Sequence, residues 1–382
     1  MSQTNDSQYA RRVVLTVLID GHDATDWMAP SLLDFTYTCN SGGKADEVQL
    51  SLHDRDGHWA SDWKPKKGMP VEAEIVCADW EEPGESIQLP CGSFKIDEIT
   101  FSGPPDKVQI KAVSADLTGD VRDRQNTRAW ENTSLKTVSE QISGEYGLDL
   151  FYSGDAHEFE RQDQRNESDL AFLNRLAGQF GMSCKAHDGK LVVFDKEMAE
   201  GQPGTLSIPK KGGQYSPKSY SFKQSSSATG YDKAEVAYSD PKTGTTHKAT
   251  VKRKESGESS GKSGSYQERA DRAKKTMTLQ DRAENPAQAS KRGRAALHDA
   301  NSKEQTASVE IMGCPRIVAG QTITLEDFGD FSGTYFIKTA THKIAGSGGY
   351  TTSLELAAPN FTEDGEAHEE KCEAALKARE GK

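Results

Sequence analysis

Three runs in this chain bring together residue types that could do chemistry. Gly257-Glu258-Ser259-Ser260-Gly261-Lys262-Ser263 ends in the Gly-Lys-Ser of a phosphate-binding loop. Such a loop needs four residues between its glycines, so that backbone amides close on a phosphate, and a buried strand before it. Here three residues lie between Gly257 and Gly261, Ser256 stands at the required position, and the preceding Thr250-Val251-Lys252-Arg253-Lys254 is charged. The run reads as a flexible loop. His53-Asp54-Arg55-Asp56-Gly57-His58 mixes possible metal ligands. A calcium loop would need a third acid before Gly57 and a Glu about six residues after it, and both are missing. The two histidines could hold a transition metal, but an exposed Asp-Gly turn is the simpler reading. His368-Glu369-Glu370-Lys371-Cys372 has Cys372 where a zinc protease carries its second His. Paired acids such as Asp97 and Glu98 are ordinary on a wet strand face, and no acid is singled out as the general acid of a cell-wall hydrolase. The expectation is therefore no catalytic residue, no cofactor and no metal.

Two large aromatics remain. Trp59 and Trp63 follow the Asp-Gly turn on a loop that also carries Lys64, Lys66 and Lys67. Full solvation is unfavourable for them. They either pack on their own domain or meet a partner, because large aromatics dominate interface energy. They are the candidate partner-contact residues.

The elements that must position these residues are mostly strands. Arg12–Asp20, Val48–Leu52, Val71–Cys77, Gly92–Phe101 and Lys107–Val113 are β-branched or alternate with period two. The middle differs. Ser134 caps a helix whose Leu135, Val138, Ile142 and Tyr146 share a face and which Gly147 stops. A second helix starts near Asn166 or Ser168, carries Leu170, Leu173, Leu176 and Phe180, and ends at Gly181. A hairpin follows, Met182–Ala186 and Leu191–Phe194 around Asp188-Gly189. Strands return at Tyr220–Lys223 and Ala234–Tyr238. Glu255–Ser265 reads as a mobile loop. Asn285 caps a helix with Pro286 at its first position and Ala289, Arg292, Ala296 and Ala300 along it. Strands fill Ala307–Leu356, and Phe361–Lys382 is a charged tail. The expected organisation is a β-domain over 1–115, a small α+β domain over 116–210, a second β-domain over 211–358 and a tail over 359–382.

The two strand-rich parts resemble each other. Gly92-Ser93-Phe94-Lys95-Ile96 lines up with Gly333-Thr334-Tyr335-Phe336-Ile337, and Gly68–Ala73 with Gly320–Leu325. Val108–Ala112 lines up with Ser353–Ala357, and Val48–Leu52 with Ser308–Ile311. One reading is the common grammar of antiparallel sheets. The other is a duplicated antiparallel barrel. Three copies of such a chain would present six similar units around one axis.

The composition bounds the function. The chain has 382 residues, 34% apolar and 28% charged. Its net charge of −12 repels polyphosphate and argues against specific nucleic-acid binding. No apolar run is long enough to cross a membrane, and the short run after Arg12 meets Asp20, not a cleavage site. Six scattered cysteines form no CxxC pair, which fits free thiols.

Glu167-Ser168-Asp169-Leu170-Ala171-Phe172-Leu173-Asn174-Arg175-Leu176-Ala177, then Phe180-Gly181 and Leu191-Val192-Val193-Phe194, resembles the late-control D family of contractile phage tails. So do the helix with Ala289 and Ala296, Gly313-Cys314-Pro315-Arg316-Ile317-Val318-Ala319-Gly320, Gly333–Ile337 with His342, and Gly349–Leu354. The likeness runs over residues 10–358. It implies a baseplate hub protein, similar to the N-terminal hub part of type VI secretion spike proteins. The implied fold is mainly β with an α+β insert: two tail-tube-like antiparallel β-barrels plus a small helix-hairpin domain. The implied partners are two further copies in a homotrimer, the tail tube or its initiator, a separate trimeric spike protein and other baseplate proteins. DNA would pass the channel without specific binding, and no membrane anchor is expected. Synthesis in the host bacterial cytoplasm and assembly into a virion tail baseplate or tailocin particle follow from the same likeness. The alternatives are a tail-tip cell-wall hydrolase with an unrecognised site, a fused-spike secretion effector and a monomeric binding module.

Overall fold

The structure is a computed structural model that describes residues 10–114, 120–225, 230–239, 246–253, 275–279, 283, 285–346 and 349–359. Gly257–Ser263, Glu255–Ser265, His368–Cys372 and the charged tail lie outside the described residues.

Strands dominate, and most of them belong to one 13-stranded sheet. The first half contributes Arg12–Ile19, Leu32–Asn40, Glu47–His53, Pro70–Ala78, Ser86–Ser102 and Lys107–Ser114. The second contributes Ser207–Pro209, Ser219–Gln224, Gln305–Met312, Thr322–Glu326, Gly333–Ala345 and Gly349–Ala357. Alternation explains these segments: in Glu47–His53 the side chains of Val48, Leu50 and Leu52 are buried and the residues between them are half-exposed.

The two halves repeat one strand order. In the first, Leu32–Asn40 pairs Glu47–His53, which pairs Lys107–Ser114, which pairs Ser86–Ser102, which pairs Pro70–Ala78. In the second, Ser219–Gln224, Gln305–Met312, Gly349–Ala357, Gly333–Ala345 and Thr322–Glu326 follow in that order. Irregularities repeat as well. The long strand bulges between Ile96 and Glu98 in one half and between Ile337 and Thr339 in the other. Gly68 donates its N–H to the Ile96 carbonyl at 2.8 Å, and Gly320 to that of Ile337 at 2.9 Å. Both glycines have positive φ, 81° and 91°, a conformation side chains resist. The return strands pair one residue away from the alignment that letters alone suggest, so Ala112 corresponds to Leu356. The halves differ at the outer strand, which is antiparallel in Arg12–Ile19 and parallel in Ser207–Pro209.

Between the halves sits the α+β unit. Ser134 accepts the Thr137 N–H and caps Leu135–Tyr146, which Gly147 ends at φ 65°. Ser168 caps Asp169–Gln179 by accepting from Ala171. Leu135, Val138, Ile142, Phe172, Leu173 and Leu176 form the core of this unit with Leu191 and Val193. Pro286–Asn301 is capped by Asn285 and packs Ala289 on the small sheet of Lys233–Ser239, Thr246–Lys252 and Thr276–Leu279.

Candidate functional site

The geometry that stands out is a joint between the halves. Residues Thr339–Ala345, the far part of the long strand, pair with Asn40–Asp34 in antiparallel register. This pairing makes the two halves one sheet. At its centre His342 lies opposite Tyr37, and the rings stack at 5.9 Å with 18° between their planes. His342 is fully buried. Its Nε2 donates to the Ile317 carbonyl at 3.0 Å, which leaves Nδ1 to accept from the Tyr350 hydroxyl at 2.8 Å. Burial holds the imidazole neutral, with its pKa pushed down to about 4 against the favourable Ile317 carbonyl.

Further contacts lock the joint. The Trp80 indole donates to the Gly313 carbonyl at 2.7 Å and lies beside Tyr350. A Cβ at Gly313 would sit 2.0 Å from the Tyr350 ring, so glycine is required there by space. Arg316 bridges Glu81 at 2.9 Å and Glu85 at 2.5 Å, and the Tyr215 hydroxyl donates to Glu81 at 2.7 Å.

The α+β unit braces both halves. Lys185 donates to the Asn40 carbonyl at 2.9 Å and pairs with the buried Asp46 at 3.2 Å, and His187 lies 2.9 Å from the same carboxylate. Burial would raise the Asp46 pKa, but His187, Lys185 and the Asn40 amide outweigh it and hold the acid ionised. On the other side, His298 faces Glu200 at 3.0 Å, and Lys196 meets Asp299 at 2.8 Å. Burial opposes the His298 charge. Hydrogen bonds and attraction from Asp299 and Glu200 win and raise its pKa to about 9.

The tryptophan loop divides its roles. Trp59 is 2% exposed and lies in the first core. Asp54 spends both carboxylate oxygens on the N–H groups of Trp59 and Ala60, which makes His53–His58 a pinned turn. His53 Nε2 meets the Pro30 carbonyl at 2.9 Å. Trp63 is 46% exposed and stacks on His58 at 4.5 Å. Trp27, which the sequence did not single out, is 41% exposed and touches both Trp59 and Trp63. The exposed members of this tryptophan cluster are thus Trp27 and Trp63.

A polar cleft of about 340 Å³ is lined by Arg124, Asn126, Thr127, Arg128, Glu145 and Tyr146. The buried acid beneath it is Asp169. It accepts from Tyr146 at 2.6 Å, Gln164 at 2.7 Å, Asn126 at 2.9 Å and Arg128 at 2.5 Å. Burial would raise its pKa, but these donors lower it, so the group is a fixed anion and a poor proton donor. Among the described residues no group of three or more His, Cys, Asp or Glu could hold a metal ion.

Known proteins share this fold. A 43-kDa tail protein of prophage MuSo2 from Shewanella oneidensis superposes with a TM-score of 0.66 at 15% identity, covering 91% of this chain and 99% of its own. A tail protein from Neisseria meningitidis does so at 0.63 and 12% identity, covering 90% and 96%. At these identities the likeness concerns the fold. A protein named "Probable baseplate hub protein" from Escherichia phage P2 is 30% identical over 183 residues, 47% of this chain and 44% of that protein. The match thus spans less than half of that curated relative. The profile of the family described as phage tail baseplate hub (GPD) matches residues 106–348, more than half of the chain. The chain belongs to the phage tail baseplate hub family.

Proposed function

We propose that this protein is the structural hub of a contractile tail or related injection machine. Three copies close a ring of six similar modules that accepts the tail tube on one side and a three-fold spike on the other. One observation carries this reading: the repeated strand order, with its repeated bulge, continues through both halves in a single sheet. Two equivalent modules held in one relation by Trp80, Arg316 and the bracing unit give a rigid third of a pseudo-six-fold ring. The division into β-domain, α+β domain, second β-domain and tail belongs to this reading.

The function is geometry and affinity without turnover. The net charge of −12 suits a channel past which DNA slides. Trp27 and Trp63 form the face for the next ring of the tail, with Trp59 as their support. Assembly in the virion baseplate follows.

Light scattering of the purified chain at micromolar concentration tests the ring. The expected mass is three times the chain's 41.7 kDa. A monomer that a spike protein does not convert to a trimer contradicts the reading. Digestion of purified cell wall by the protein would decide for the hydrolase.

A further inference from the structure

The two halves differ most where the first makes a simple turn. Residues 41–46 join Leu32–Asn40 to Glu47–His53 in the first half. At the matching place, between Ser219–Gln224 and Gln305–Met312, the second half inserts the small sheet and the Pro286–Asn301 helix. The repeat does not need this insertion, so its role lies outside the repeat. The insertion is built in layers. On one side of the helix, Arg292 donates to Gln179 at 3.0 Å and Arg294 meets Glu197 at 3.3 Å, which ties it to the α+β unit. On the other side, Ala234, Val236, Ala249 and Val251 of the sheet turn inward with Ala289 and Leu297. A Cβ at Gly293 would come within 3.1 Å of Val236 and 3.2 Å of Val251, so helix and sheet are in close contact. Alternation sends the intervening strand residues to the far face, where Lys248, Lys252, Thr276 and Thr278 are exposed.

Register maps that far face. Thr276, Lys233 and Lys252 form one row across the three strands. Thr278, Glu235 and Thr250 form the next, and Ala237 and Lys248 the third. Lys233 and Lys252 stand directly opposite each other, an arrangement that like charges disfavour. Lys233 turns to Glu235 at 2.7 Å. Glu235 is the one acid among these residues, so the charges of Lys248 and Lys252 are left in excess. The whole chain carries −12. A surplus of lysine on a bare sheet face is the reverse of that balance.

We infer that this face docks an extended acidic segment of a partner protein. Opposite charge across an interface steers the encounter and fixes its register. Lys248 and Lys252 lie four residues apart on one strand, about 13 Å. An extended segment presents its residues i and i+4 on one face at that same spacing, so two carboxylates four apart meet both ammonium groups. The Thr250 hydroxyl lies between them and can donate to the segment's backbone or side chains. The mapped face holds no arginine, the residue that grips phosphate with two parallel bonds, and the net charge repels a polyphosphate. The partner's anions are therefore carboxylates. The face is complete in one chain and does not depend on the ring.

The test uses the full chain and the fluorescence anisotropy of a labelled poly-glutamate peptide at low salt, with a duplex DNA oligonucleotide as the rival polyanion. The expected result is saturable binding of poly-glutamate that added salt weakens, and about tenfold weaker binding by the double variant Lys248→Glu/Lys252→Glu. Glu235→Gln removes the one acid and is expected to tighten binding about threefold, a gain that a damaged fold could not give. Equal binding by a double variant of unchanged melting temperature overturns the proposal. If the double variant melts lower, the Glu235→Gln gain decides, and its absence overturns the proposal. Duplex DNA bound more tightly than poly-glutamate overturns it too, because the face would then take phosphate. So does a changed assembly mass of the double variant in light scattering, which would make the face a contact between copies.

Discussion

His342 joins packing to polarity at one buried point. Its ring stacks on Tyr37 across the joint while its nitrogens satisfy Ile317 and Tyr350. Truncation removes volume and orphans two buried polar groups. His342→Ala is expected to lower stability by about 3 kcal/mol in a denaturant titration. Gly313→Ala drives a methyl into the Tyr350 ring and is expected to cost at least ~2 kcal/mol. Protonation acts on the same residue. The unfolded imidazole takes a proton near pH 6.5, and the folded one resists until about 4. Stability is therefore full above 6.5 and falls as pH drops towards 4. His157, also held near 4 chiefly by burial, with the Lys291 charge next, adds to the same slope. A melting curve that stays flat between pH 7 and 4.5 contradicts this account.

At the scale of elements, the Pro286–Asn301 helix is clamped to the α+β unit through His298 and Glu200. The sign is opposite to that of His342. The folded pKa, about 9, lies above the ordinary 6.5, so the stabilisation is complete below 6.5 and disappears as pH rises through 9. The melting temperature is expected to fall between pH 7 and 9.5, and His298→Gln to remove most of that fall. An unchanged slope in the variant would assign it to other groups. Caps and periodicity made both the Ser134 and Asn285 helices legible in the sequence, because those signals are local. The repeat was legible through its glycines for the same reason. The joint strand Leu32–Asn40 was not. Its buried set is Phe35, Tyr37, Cys39 and Asn40, and its partner on one side lies some 300 residues away in Thr339–Ala345. Register is a tertiary property, which also explains the one-residue shift of the return strands. Trp27 escaped notice because it sits on a separate short helix and reaches the Trp59 loop only in space.

At the scale of the whole molecule, duplication changes what three copies can build. A single module per chain gives a three-fold object. Two modules fixed in one sheet give six positions with three-fold chemistry, which suits a junction between parts of unlike symmetry. The aromatic face belongs to this scale. Trp63→Ala is expected to weaken binding of the tube protein in a pull-down while light scattering still reports the same oligomer, and loss of the oligomer would place Trp63 in the ring contact instead. The central claim is the six-module ring, and an electron cryomicroscopy image of the assembled protein along its axis measures it directly. The account predicts three chains around a pore with six similar strand-built sectors. A pore with only three sectors, or an assembly with no closed ring, would contradict it.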